Sequence, residues 1–293
     1  MKNQIKTVLL LAVLSAFFLM IGYSLGGETG IAYALIMSVV MNVAAYWFSD
    51  KIVLAMHRAQ PIEAGHSSGV YAMVQEIAER ARLPMPKVYL IPDWTPNAFA
   101  TGRNPNHAVV AVTEGILKIL DQRELRGVLA HEISHVQNRD ILISTIVAAV
   151  ASAIMYLSHM LRWVGFMGTR RNEGQGRGGI HPLVMIFTIV LAPLVATLIQ
   201  TAISRTREFM ADESGAHISE DPEALASALE KISDPALINK IKRGDLLNHM
   251  QPAFAHLYIV NHFSGEALMS LFSTHPPVKE RVRRLRALSR QEA

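Results

Sequence analysis

Hydrophobic and polar positions divide the 293-residue chain into four long apolar runs and two polar stretches that alternate with them. Thr7 to Gly27 is uncharged and roughly 20 residues long, enough to cross a bilayer, and Lys2 and Lys6 precede it. Thr29 to Ser49 is a second such run, with Tyr46 and Trp47 near its end where an aromatic belt would lie. Only Gly26-Gly27-Glu28 separates the two, so residues 1–50 are predicted to form a transmembrane hairpin with spans at about 7–27 and 29–49. A cleaved signal peptide is the alternative for the first run, and the second run following at once argues against it. A second hairpin is predicted over 141–204, with spans at about 141–161 and 180–204; Pro193 falls mid-run, where a membrane helix tolerates a kink. A partly inserted hairpin and helices packed in a soluble core are the alternatives there. Arg170, Arg171 and Arg177 against a lone Glu173 in the connecting loop also run counter to the positive-inside tendency. Lys51 and Arg58 after the first hairpin obey it, which puts both ends of that hairpin in the cytoplasm.

The polar stretches, 51–140 and 205–293, read as the two halves of one cytoplasmic domain. Apolar residues at helical spacing (Val70, Met73, Val74, Ile77, Ala78, Ala81) predict an amphipathic helix over 70–82, stopped before Pro84 and Pro86. Lys87 to Ile91 reads as a strand, Asn97 to Gly102 as a short extended piece, and His107 to Thr113 as a valine-rich strand. Glu114 to Leu120 is a short helix. Asp121 then serves as N-cap of a further helix, with Glu124 three residues on completing a capping box. A C-terminal helix is expected over Val278 to Leu288. Residues 218–263 give no clear pattern. The fold class is therefore mainly α with a small β-sheet, carried by four transmembrane helices.

Composition agrees. Hydrophobic residues make up 51% of the chain and charged residues 18%, with mean hydropathy +0.24, values that suit a membrane protein with a polar portion. The net charge of +4 comes without a basic run interleaved with aromatics, so nucleic acid is not an expected partner and anionic membrane lipid is. Cysteine is absent, which leaves any metal site to histidine and carboxylate.

The chemistry centres on His131-Glu132-Ile133-Ser134-His135. On a helix, His131 and His135 share a face and can offer their imidazoles to one ion, while Glu132 sits one step round, within reach of a water at that ion. This is the arrangement of a zinc-dependent hydrolase with Glu132 as general base. The third ligand must come from a distant segment. In Ser204-Arg205-Thr206-Arg207-Glu208-Phe209-Met210-Ala211-Asp212, Glu208 and Asp212 share a helix face. Glu208 can ligate, and Asp212 can accept the outer N–H of a ligating histidine. Taken alone, Glu208 could equally form a surface ion pair with Arg205 or Arg207.

The metal-site helix, the hydrophobic hairpin after it, Arg207-Glu208-Phe209-x-Ala211-Asp212, and Thr274-His275-Pro276-Pro277 together resemble the M48 family of membrane zinc metallopeptidases. The resemblance implies His131, His135 and Glu208 as ligands of one Zn2+, Glu132 as the base, and Asp212 as support for His131. Asp140 also falls on a motif position, with no physical role to assign it. Asn97, Ala98 and Phe99 resemble the family's edge strand, which pairs with an extended substrate. His275 is a candidate donor to the oxyanion, against a purely structural turn. The other nine histidines have no partner at ligand spacing and are read as non-functional. The implied activity is endopeptidase cleavage of misfolded or membrane-associated proteins at the cytoplasmic face of a bacterial inner membrane, in stress-related quality control. A scaffold with a structural zinc would not need Glu132. A transporter would carry ionisable residues inside its spans, and these runs nearly lack them.

Overall fold

The computed structural model describes residues 2–147, 205–234, 236–237 and 276–292. Most of the second predicted hairpin, and His275, lie outside the described residues.

Helix α1 (Lys2–Met56) is two arms joined at Gly26 and Gly27, whose backbone angles are not helical. The Asn42 amide donates to Ser15 Oγ across the arms at 2.8 Å, so they lie side by side as a hairpin. Tyr33, Ile36, Val40, Val43, Trp47 and Phe48 are all about half exposed or more, an apolar surface that water would not stabilise. Gly26–Met56 is the one helix among the described residues long and apolar enough to cross a membrane.

The hairpin is fixed to the rest of the protein at its C-terminal end. Val53 and Leu54 are buried there against Ile91, Phe99, Val109 and Ala111 on one face of a four-stranded sheet. The strands are β1 (Gln60–Ile62), β2 (Lys87–Ile91), β3 (Ala98–Gly102) and β4 (Ala108–Thr113), in the order β1-β2-β4-β3. β2 and β4 run parallel and the outer strands antiparallel to their neighbours, with Ala98 opposite Val112 and Gly102 opposite Ala108. All six β4 residues are buried because both sheet faces are covered. On the second face Val88, Ala98, Val110 and Val112 meet the helical layer.

That layer comprises α2 (Val70–Arg80), α3 (Glu114–Ile119), α4 (Gln122–Gln137), α5 (Arg205–Ser219), α6 (Pro222–Ile232) and α7 (Val278–Glu292). α4 is the central element, packed against α2, α5, α6 and β3. Its first turn carries the expected capping box: Asp121 accepts from the Glu124 N–H at 2.9 Å, and the Asp121 N–H donates to Glu124 at 3.0 Å. Glu124 is also buried and accepts from Ser227 and Lys231 of α6, so one carboxylate both starts α4 and pins its neighbour. Residues 141–147 are helical, and Ile141 packs against Ala100, Ala108 and Val136. The first turns of the third apolar run therefore belong to the core of the domain.

Candidate metal centre and active site

His131 and His135 stand one helical turn apart on α4, with Nε2 atoms 3.3 Å from each other. Glu208 of α5 completes a triangle, its carboxylate oxygens 3.7 Å from each Nε2. Tetrahedral zinc with bonds of about 2.0–2.1 Å requires ligand atoms roughly 3.3–3.4 Å apart, so these three fit such an ion with little adjustment. Among the described residues they are the one group of three able to hold a metal. The charge balance favours a cation as well. Burial lowers the His135 imidazole, but Asp140, Glu208 and Glu132 outweigh it and push it up to about 10. A metal ion entering the site takes the place of that proton.

Close helix approach brings α5 to this position. Gly215 lies so near α4 that an added Cβ would stand 2.8 Å from both Cα and N of His131. With Ala211 and Ala216 it forms a small-residue face that lets Glu208 and Asp212 reach over the histidines. Gly215→Ala is expected to cost about 1–3 kcal/mol of stability by overpacking and to weaken zinc binding with it. Gly127→Ala, which crowds Leu225 where α4 meets α6, should destabilise similarly but leave zinc affinity near wild type. Thermal melts paired with metal titrations distinguish the two.

Each histidine has a carboxylate behind it. Asp212 Oδ1 is 3.0 Å from His131 Nδ1, close but off the alignment of a full hydrogen bond. Both Asp140 oxygens are 3.2 Å from His135 Nδ1. Asp140 reaches this place through the turn that ends α4. The Arg139 N–H bonds Val136 O, the Asp140 N–H bonds His135 O, and Arg139 has φ 55°, so the chain reverses in a Schellman-type stop. The position without an assigned role in the sequence thus faces the second imidazole.

Arg281 of α7 joins the site without a motif in the sequence to announce it. Fully buried, it donates to both Asp212 oxygens, at 2.8 and 2.6 Å, and its Nη2 lies 3.4 Å from His131 Nε2. Burial raises the Asp212 carboxyl, but the guanidinium outweighs that and holds it at about 2. Burial, opposed by Asp212 and reinforced by Arg281, keeps the His131 imidazole below its usual range and hence neutral, the form that ligates. The signal in the sequence was slight: Arg281 falls in line with Val278, Leu285 and Leu288 on an otherwise arginine-rich, solvated helix.

Glu132 is buried beside the triangle and accepts the Ala100 N–H at 3.0 Å. Burial pushes its carboxyl up to about 7, against the pull of the His135 charge. β3, the predicted substrate strand, is at the sheet edge, yet all five of its residues are buried. Thr113 donates to Asn97 O, so Ala98, Ala100 and Gly102 turn their main-chain groups outward. Glu132 caps the Ala100 N–H, and Thr145 Oγ1 accepts the Gly102 N–H at 3.1 Å. Ala98 and Phe99 thus stand on the strand next to the general-base candidate, and Asn97 directly precedes it.

The profile of Peptidase family M48 matches residues 64–289. A protein described as a protease HtpX homolog from Syntrophobacter fumaroxidans is 50% identical over 288 residues, covering 98% of this chain and 100% of its own. Another so described, from Ralstonia nicotianae, is 51% identical over 285 residues, covering 97% and 96%. Among solved structures, Ste24p of S. mikatae aligns with a TM-score of 0.51 at 18% identity, covering 97% of this chain and 65% of that one, a likeness of fold. With the family profile matched over residues 64–289 and relatives half identical over nearly the whole chain, the chain belongs to peptidase family M48.

Proposed function

We propose that the chain is a zinc-dependent membrane endopeptidase that hydrolyses peptide bonds of misfolded or membrane-associated proteins, in stress-related quality control at the cytoplasmic face of a bacterial inner membrane. The observation that carries this reading is the triangle of His131, His135 and Glu208 with Glu132 beside it, all on two helices held in contact by Gly215. Zinc held by these three residues would supply a Lewis acid to polarise the scissile carbonyl and acidify a water. Glu132 would accept the proton of the attacking water and return it to the leaving amine, a role that suits a carboxyl raised by burial to about 7. Asp140 and Asp212 orient the two imidazoles from behind, and Arg281 holds Asp212 in place. For substrate main chain to pair at Ala100 N–H, Glu132 must turn from that N–H toward the reacting water, which couples substrate docking to release of the base. His275 keeps its candidacy as an oxyanion donor from the resemblance alone.

The membrane reading rests on the exposed apolar surface of α1 and on the family. In our reading the topology is four spans with both termini cytoplasmic. The cysteine-free chain allows a direct check by single introduced cysteines and a reagent that cannot cross the bilayer. Arg171→Cys is expected to react from outside and Gln75→Cys only after permeabilisation. An unreactive Arg171→Cys in sealed vesicles would mean that the second hairpin does not span. For the activity, purified protein in vesicles should cleave a membrane-protein reporter, and chelation of zinc should stop it.

A further inference from the structure

We propose that the chain carries a binding site for the anionic headgroup of a phospholipid, in a cleft between the end of α1 and the edge of the sheet. The cleft has a volume of about 550 Å³ and is lined by Trp47, Phe48 and Lys51 of α1, Lys87 at the start of β2, and Arg103 and His107 between β3 and β4. Three sequence-distant elements thus converge their cations on one space, offset only by Asp50. Among the described residues the lysine and arginine ion pairs all lie elsewhere, and none includes Lys51, Lys87 or Arg103.

Depth identifies the occupant. The exposed apolar residues of α1 continue through Trp47 and Phe48, each 49% exposed, and give way to Asp50 and Lys51. An aromatic pair followed by charge marks the boundary between hydrocarbon and headgroups, where lipid phosphates lie. Arg103 stacks on Trp47 with its guanidinium 4.4 Å from the ring centroid, and Lys51 stands 5.5 Å from Phe48, so cations are held at the depth of the aromatics. A phosphodiester monoanion at that level meets three donors, while its acyl chains follow the exposed face of α1. The chemistry that recognises it is that of any phosphate ester; the membrane boundary selects the lipid over a soluble phosphate. Because Arg103 directly follows β3, a lipid bound there also ties the strand beside Glu132 to the membrane surface.

The inference rests on the hairpin lying in a bilayer, and the test separates the two. Trp94→Phe with Trp163→Phe leaves Trp47 as the reporter in the full-length protein, reconstituted in phosphatidylcholine vesicles. Brominated phosphatidylglycerol, or brominated phosphatidylcholine, is then doped in as quencher. Half-quenching is expected at about 10-fold less phosphatidylglycerol than phosphatidylcholine, given the attraction of each cation near the surface. Lys51→Gln with Lys87→Gln and Arg103→Gln should make the two lipids equal, with Arg103→Gln alone intermediate. Lys118→Gln with Lys279→Gln, which removes two charges elsewhere, should leave the preference intact. Inorganic phosphate should compete no better than chloride at equal ionic strength. Equal quenching by both lipids in the unaltered protein, or a preference that survives in the triple variant, would overturn the site. Displacement by inorganic phosphate alone would make it a soluble-anion site and overturn the lipid assignment. Failure of either lipid to quench, with protein that does not float with vesicles, would instead overturn the membrane reading beneath it.

Discussion

Glu132→Gln is expected to bind zinc with near wild-type affinity and to lose cleavage by about 10²- to 10⁴-fold, the usual contribution of a positioned general base. The amide matches the carboxylate in size and leaves His131, His135 and Glu208 untouched. It can still present an oxygen to the Ala100 N–H, so the buried contact between α4 and β3 is retained and the fold should not suffer. Loss of a buried carboxyl that burial has pushed up to about 7 should even be neutral for stability, since its charged form is disfavoured there. Metal content, a thermal melt and a cleavage assay on the same preparation check the three parts. Undiminished proteolysis at full zinc occupancy would remove Glu132 from the chemistry.

Glu208→Ala should abolish activity and Asp212→Ala only weaken it, for different reasons. Without Glu208 only two imidazoles remain, so zinc is lost or held weakly and activity stays absent at saturating metal. Without Asp212 three ligands remain, and the cost is typically about 10–100-fold in affinity or activity, which excess zinc partly restores. The structure adds a complication. Asp212→Ala also strands Arg281, fully buried, without its carboxylate, a change that typically costs about 3–5 kcal/mol. Pairing it with Arg281→Met removes the orphaned charge. The double variant should melt well above Asp212→Ala alone and recover part of the zinc affinity, since a cation 3.4 Å from His131 Nε2 is gone, but stay below wild type because His131 still lacks its partner. Full recovery of zinc affinity along with stability would show that Asp212 serves the fold and not the imidazole.

Local signals were enough for much of this architecture. β2 is legible to the residue because the β-favouring run Val88 to Ile91 stands between Pro86 and Pro92, and α4 because its capping box and its apolar face agree. α2 stops at Arg80, ahead of both prolines, because Arg82 takes φ 55° and the N–H groups of Arg82 and Leu83 turn back onto Glu79 O and Ala78 O. Other elements depend on what packs against them. β1 is three residues long and exists only by pairing with β2. α6 was hidden by its alanines, which dilute the periodicity of Leu225, Leu229 and Ile232; its Asp221 N-cap, accepting from Ala224, and Pro222 at the first turn were there to be read. Glu208 and Asp212 could be proposed because i,i+4 spacing is local. Arg281 pairs with a residue 69 positions away, and Asp140 gains its contact from an irregular turn, so neither follows from spacing.

The junction between α1 and the sheet connects these observations to the setting in the membrane. Val53 and Leu54 are anchored against the face of the sheet that carries Phe99 and Ala111, and residues 141–147 are anchored on the other flank through Thr145 to Thr101 and Gly102. Both apolar segments thus hold β3, the strand that contacts Glu132. In the proposed function this arrangement keeps the site within a short distance of the bilayer surface, where an unfolded or extracted segment first becomes available.

Titrating metal-free, full-length protein with zinc, while following cleavage of an unfolded protein substrate against bound metal, tests the zinc centre most directly. Expected are no cleavage without metal, a rise in proportion to bound zinc, and a plateau at one zinc per chain that Glu208→Ala never reaches. Cleavage that persists after the metal is removed, or a plateau that Glu208→Ala attains in full, would contradict a catalytic zinc held by His131, His135 and Glu208.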